Sequence, residues 1–198
     1  MNLLKLLFTS LLVIIFSNPL YAEKNSVIIG MQLEPPNLDP TGGAAAAIDE
    51  VVYSNVYEGL TRFKADGSVS PGLAKSWTIS DDGLVYTFQL EENVKFHDGS
   101  DFDASDVKFS IDRARDENST NAQKGLFKGI SSVDVINTKL VKITLSTPNG
   151  GFIRNLAWGD AIILDPETAN NAACSGSFVP LLTLGIPGSG TTAVMLGA

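Results

Sequence analysis

The residues of this chain that could do chemistry are one histidine, one cysteine and a set of closely spaced aspartates. His97 lies in Lys95-Phe96-His97-Asp98-Gly99. A zinc site needs three or four ligands, and a single imidazole in a turn does not supply them. Asp81, Asp82, Asp98, Asp101 and Asp103 form acidic groups of the kind that perform acid–base work or bind calcium through about six to eight oxygens. Their neighbours point elsewhere. Asp82-Gly83 and Asp98-Gly99 are turn pairs, and Asp103 precedes a helical pattern as an N-cap. Gly185 to Thr192 reads GIPGSGTT, close to a phosphate loop but with Thr191 where that loop needs lysine. Cys174 has no second cysteine to pair with. No Gly-x-Ser-x-Gly and no Cys/His pair occurs, so nucleophilic hydrolysis has no support. These residues predict no enzyme, no metal and no cofactor.

Composition narrows the class further. The net charge of -8 gives no basic surface for nucleic acid. Residues 1–22 hold one charge, Lys5, then an apolar run from Leu6 to Phe16, a break at Asn18-Pro19, and the small residue Ala22. That plan predicts a secretory signal peptide cleaved after Ala22. No cysteine follows it, so a lipid anchor is not expected, and the mature chain is expected in the periplasm.

The elements that must position these residues follow from pattern. Ser26–Leu33 is apolar and branched, which predicts a buried strand. Glu34 to Pro40 is a proline-stiffened loop. Ala44–Tyr57 is read as a helix with Ile48, Val51, Val52 and Val56 on one face, ended by Gly59. Turn signals at Asp66-Gly67, Pro71-Gly72 and Asp81-Asp82-Gly83 divide a β-rich stretch with strands over 76–79, 84–90 and 94–96. Asp103 caps a helix over 104–115, with Asp106 near its positive end and Val107, Ile111 and Ala114 inward. Residues 118–124 are loop-like, 133–136 and 140–145 a hairpin, and 152–158 a short helix. Glu34, Thr41 and Gly42 follow the first expected strand, where α/β sheets tend to place ligands.

The run Pro71-Gly72-Leu73-Ala74-Lys75-Ser76-Trp77, then Ser80-Asp81-Asp82-Gly83, Tyr86-Thr87-Phe88-Gln89-Leu90, Val94-Lys95-Phe96-His97-Asp98-Gly99 and Ala104-Ser105-Asp106-Val107 resembles extracellular solute-binding protein family 5. These are the dipeptide, oligopeptide and nickel receptors of ABC importers. Asn37-Leu38-Asp39-Pro40 and Tyr57-Glu58-Gly59-Leu60 agree, and the likeness covers about residues 26–165. The resemblance implies an α/β fold, here an α+β fragment. It would be the N-terminal part of a two-lobed periplasmic-binding-protein type II fold. It also implies a monomeric receptor that captures a peptide, or nickel or another small solute, and delivers it to an ABC permease. In the family the Glu34–Gly42 loop borders the cleft. Trp77, Asp82, Gly83, Tyr86, Phe88, His97, Asp98, Gly99, Asp106 and Val107 are then signature residues with structural roles.

The composition changes near residue 170. From Asn170 to Ala198 no residue is charged, and Gly and Pro recur throughout. Residues 167–198 are similar to the large membrane subunit of tripartite tricarboxylate transporters. The chain therefore reads as a signal peptide (1–22), a solute-binding portion (23–165) and a non-globular apolar tail (166–198). A join of two transport proteins near 166–170 is expected, with membrane association of the tail as a second reading.

Overall fold

The computed structural model describes residues 29–166. The signal segment, residues 26–28, Cys174, the GIPGSGTT stretch and the tail from residue 167 lie outside them. Residues up to Gln32 form a unit separate from Leu33 onward. Residues 29–33 contain no strand, contrary to expectation: Ile29 is 78% and Leu33 66% exposed. A strand must hand its N–H and C=O groups to a neighbour, and neither sheet among the described residues includes this segment.

From Leu33 onward the fold follows from two periodicities. β4 (Val85–Leu90) and β6 (Leu140–Leu145) alternate half-buried and buried positions, so Tyr86, Phe88 and Leu90, with Val141, Ile143 and Leu145, share one face. The register sets Phe88 opposite Val141 and Tyr86 opposite Ile143. β3 (Ala74–Ile79) pairs outside β4, and β5 (Ile130–Asn137) pairs outside β6, giving an antiparallel sheet of order β3-β4-β6-β5. The turn between β3 and β4 is the expected one. Gly83 takes φ +69°, and the Asp82 carboxylate accepts from the Leu84 N–H and the Ser80 hydroxyl.

The chain leaves β4, forms a long helix, and returns through the β5–β6 hairpin. That helix covers the apolar face of the sheet. Numbered in order, α1 is Ala46–Val52, α2 is Ala104–Arg115 and α3 is Phe152–Asn155. α2 packs on β5 and β6 with Val107, Ile111 and Ala114 buried. Phe88, Phe102, Phe127 and Phe152 are fully buried in the same core, each contributing about 2–3 kcal/mol by leaving water. β1 (Thr61–Phe63) and β2 (Val69–Pro71) form a separate two-stranded ribbon around the Asp66-Gly67 turn.

Three expected elements are shorter than their patterns. α1 ends at Val52, whose carbonyl accepts from the N–H groups of Asn55, Val56 and Tyr57 while Ser54 takes φ 57°. Val56 therefore leaves the inward face and is 37% exposed. The 94–96 strand is a single bridge between Lys95 and Asp101. The 152–158 helix stops at Asn155 and gives way to a 3-10 turn at Gly159–Ala161.

Candidate binding surfaces

The loop expected to meet ligand is tied to α2. Asp39 accepts from both the N–H and the hydroxyl of Thr41, at 2.9 and 2.6 Å. Arg113 donates to the Thr41 hydroxyl oxygen and lies 3.6 Å from Asp39. Thr41 is buried, and both its polar groups serve this lashing. Gly42 sits against Asp39, and Glu34 projects into solvent. Beside the loop runs a groove of about 670 Å³ lined by Thr41, Lys108, Phe109, Asp112 and Arg113. Its two cations, Lys108 and Arg113, are each paired with a carboxylate. Lys108 and Arg115 pair with Asp112, and Arg113 pairs with Asp39.

A second concavity, of about 360 Å³, is lined by Asp49, Tyr53, Phe63, Gly67, Arg154 and Trp158. Three elements build it. α1 supplies Asp49, and Tyr53 follows directly. β1 supplies Phe63. α3 and the turn after it supply Arg154 and Trp158. The Trp158 and Phe63 rings meet edge to face at 5.8 Å, and the Arg154 guanidinium stacks on Phe63 at 4.8 Å. Arg154 also donates to the Gly67 carbonyl at 2.8 Å. Tyr53 fixes the back wall, donating to the Ala157 carbonyl at 2.8 Å and accepting from the Phe63 N–H at 3.2 Å. Behind Asp49 lies the buried Asp160. Burial, and then the charge of Asp49, raise the Asp160 carboxyl to about 6. Burial raises Asp49 as well.

Of the recess residues only Gly67 is marked in the sequence, as a turn residue, and none is marked as a binding residue. They come from positions as far apart as 49 and 158, and no local pattern joins them.

The signature residues occupy turns and core. Trp77 packs on Phe88, with ring centroids 6.3 Å apart. Tyr86 meets Phe152 edge to face and donates to the Asn149 carbonyl. His97 is exposed in a turn where Gly99 takes φ +94° and Asp98 accepts from the N–H and hydroxyl of Ser100. The Ser100 hydroxyl is shared with Asp165, whose Oδ2 lies 3.0 Å away, and this ties the turn to the segment after α3. Asp103 and Asp106 form a capping box at the start of α2, and burial raises Asp106 to about 6. Val107 is buried beneath the sheet. Among the described residues no group of three or more His, Cys, Asp or Glu is placed to hold a metal, and no helix is long and apolar enough to cross a membrane.

The model of bacterial extracellular solute-binding proteins, family 5, matches residues 68–180. The chain belongs to this family. The glutathione-binding protein GsiB of Pectobacterium atrosepticum is 36% identical over 168 residues, covering 84% of this chain and 32% of GsiB. GsiB of Escherichia coli K12 is 33% identical over 163 residues, covering 82% of this chain and 31% of its own length. The chain thus spans about a third of the length of the curated relatives it matches. Among solved structures, NikZ of Campylobacter jejuni in complex with Ni(L-His) is 37% identical with TM-score 0.62, over 70% of this chain and 27% of NikZ. DppA of Helicobacter pylori with the peptide STSA is 28% identical with TM-score 0.60, over 73% of this chain and 32% of DppA.

The described residues have the fold of the corresponding part of periplasmic-binding-protein type II receptors. Family 5 proteins are periplasmic solute receptors of ABC importers, not enzymes. The family match extends to residue 180.

Proposed function

We propose that this chain contributes to a periplasmic receptor that captures short peptides and passes them to an ABC permease. The observation that carries this reading is the similarity over 84% of the chain to a protein named for binding glutathione, a tripeptide. The solved relative holding a tetrapeptide adds support. The loop bearing Glu34, Thr41 and Gly42 contributes to the ligand surface. Glu34 is its free charged group, while Thr41 and Arg113 hold its shape. Residues 1–22 act as a cleaved export signal, and the receptor works as a monomer.

The test is a ligand screen by thermal shift on the purified chain. A second arm grafts residues 33–166 into full-length GsiB in place of its own segment. Glutathione and di- to tetrapeptides are expected to raise the melting temperature of the graft. Stabilisation by Ni(L-His) and by no peptide would replace the peptide reading with a metal-complex one.

A further inference from the structure

The two concave surfaces differ in how their charges are spent. In the α2 groove every named cation has a carboxylate partner. In the aromatic recess, among the described residues, Arg154 has no ion pair; it makes one hydrogen bond, to the Gly67 carbonyl, and the ring contact with Phe63. A guanidinium has five N–H donors in a planar fork, and one bond to the Gly67 carbonyl leaves most of them uncommitted at a residue that lines the recess. Asp49, on another wall, has no cation and no hydrogen-bond donor among the described residues, and its charged neighbour is a second carboxylate, Asp160. Phe63 and the 47% exposed Trp158 offer apolar surface on the same cavity.

A cavity with a cation and an anion that have no ion-pair partner among the described residues, beside the exposed Trp158 ring, fits one chemical class of ligand. We infer that this recess is a subsite for a zwitterionic amino-acid or short-peptide unit with an apolar or aromatic side chain. Arg154 takes its carboxylate, Asp49 takes its ammonium group, and Trp158, held edge to face on Phe63, lies against its side chain. The volume of about 360 Å³ suits a unit of this size, within the roughly 300–1,000 Å³ of small-molecule pockets. Bidentate carboxylate capture by a guanidinium already stacked on a ring loses little side-chain freedom. The inference rests on the peptide-receptor reading and adds where, and by which groups, one peptide unit is held.

The experiment uses glycyl-phenylalanine, its C-terminal amide and its N-acetyl form, titrated into the purified chain and into the GsiB graft. Tryptophan emission is the readout, with calorimetry beside it. The chain has two tryptophans, Trp77 and Trp158, so W158F shows which one responds. The dipeptide is expected to quench Trp158 and to bind at least about tenfold more tightly than its amide, the scale of about 1.4 kcal/mol for one charged contact. Arg154→Gln is expected to remove that preference, and Arg154→Lys to restore part of it. Asp49→Asn is expected to remove the preference over the N-acetyl form. Unchanged circular dichroism of the variants confirms that each folds. Equal binding of dipeptide and amide, or a preference that survives R154Q, overturns the recess assignment and leaves the receptor reading intact. Binding of none of the three peptides, nor of glutathione, overturns the receptor reading and this inference with it.

Discussion

The Tyr53 hydroxyl donates to the Ala157 carbonyl at 2.8 Å, joining residues 104 positions apart. The same oxygen accepts from the Phe63 N–H, so one phenol fastens α1, β1 and the turn after α3. Tyr53→Phe removes the donor and the acceptor without removing the ring. Loss of both bonds is expected to cost about 1–3 kcal/mol. Urea denaturation followed by circular dichroism measures it. Near-ultraviolet dichroism should also change, because Phe63 and Trp158 lose their common anchor. An unchanged midpoint would mean that the aromatic wall holds itself.

Of the glycines where a methyl group has no room, Gly72 and Gly159 are confined for different reasons. A Cβ on Gly72 would lie 2.6 Å from the Gly59 carbonyl and 3.2 Å from that of Leu60. Both are backbone atoms paired with this segment, since Gly72 N–H donates to Leu60 and Leu73 N–H to Gly59. A Cβ on Gly159 would run into the Asp49 carboxylate, which is a side chain and can turn away. Gly72→Ala is therefore expected to destabilise by about 2–3 kcal/mol, and Gly159→Ala by less. Gly125→Ala meets nothing within 4 Å and serves as the control. Equal midpoints for Gly72→Ala and Gly125→Ala would contradict this packing.

At the start of α2 the Asp103 carboxylate accepts from Ser105 N–H at 2.6 Å, and Asp106 accepts from Asp103 N–H at 2.7 Å. Asp103→Ala removes one half of this box and is expected to cost about 1 kcal/mol. Asp103→Ser, which keeps an acceptor, should recover most of it. A chemical-denaturation series of the three proteins checks the order.

That cap also shows what was legible in the sequence. Asp103, Asp106 and the spacing of Val107, Ile111 and Ala114 are local signals, and the helix runs where they place it, Ala104–Arg115. The same holds for Asp82-Gly83 and for the alternation in Val85–Leu90 and Leu140–Leu145. Signals that need a distant partner misled. The apolar run 26–33 reads as a strand, but strand identity depends on a neighbour, and its described part, 29–33, pairs in neither sheet. The Ala44–Tyr57 pattern looks like four turns of helix, yet Tyr53 is drawn off it to meet Ala157 and Phe63. The loop of Glu34, Thr41 and Gly42 was legible as a loop, whereas the use of Thr41 as a brace for Arg113 was not. The aromatic recess depends wholly on long-range packing, so nothing in any single stretch announced it.

Two buried carboxyls set a pH dependence whose sign runs against ordinary acid denaturation. Burial raises Asp160 and Asp106 to about 6; the Asp49 charge adds to the first, and the Asp103 N–H partly offsets the second. In the unfolded chain such groups titrate near about 4. Between these values the folded state binds more protons than the unfolded one, so stability falls as pH rises from about 4 to about 6 and stays reduced above. Asp66 and Asp82 carry the opposite shift, lowered first by the hydroxyls of Ser68 and Ser80. They withdraw stability only as pH drops below about 4. The melting temperature is therefore expected to be higher at about pH 5 than at about pH 7.5, by a few degrees for a domain of this size. Asp160→Asn keeps the shape and removes the titrating charge. It should raise the melting temperature at the higher pH and flatten the slope, with little change at the lower one. Calorimetric scans of both proteins across that range decide the matter. A wild-type melting temperature that falls steadily on acidification from pH 7.5 would show that these two carboxyls are ionised at no cost to the fold.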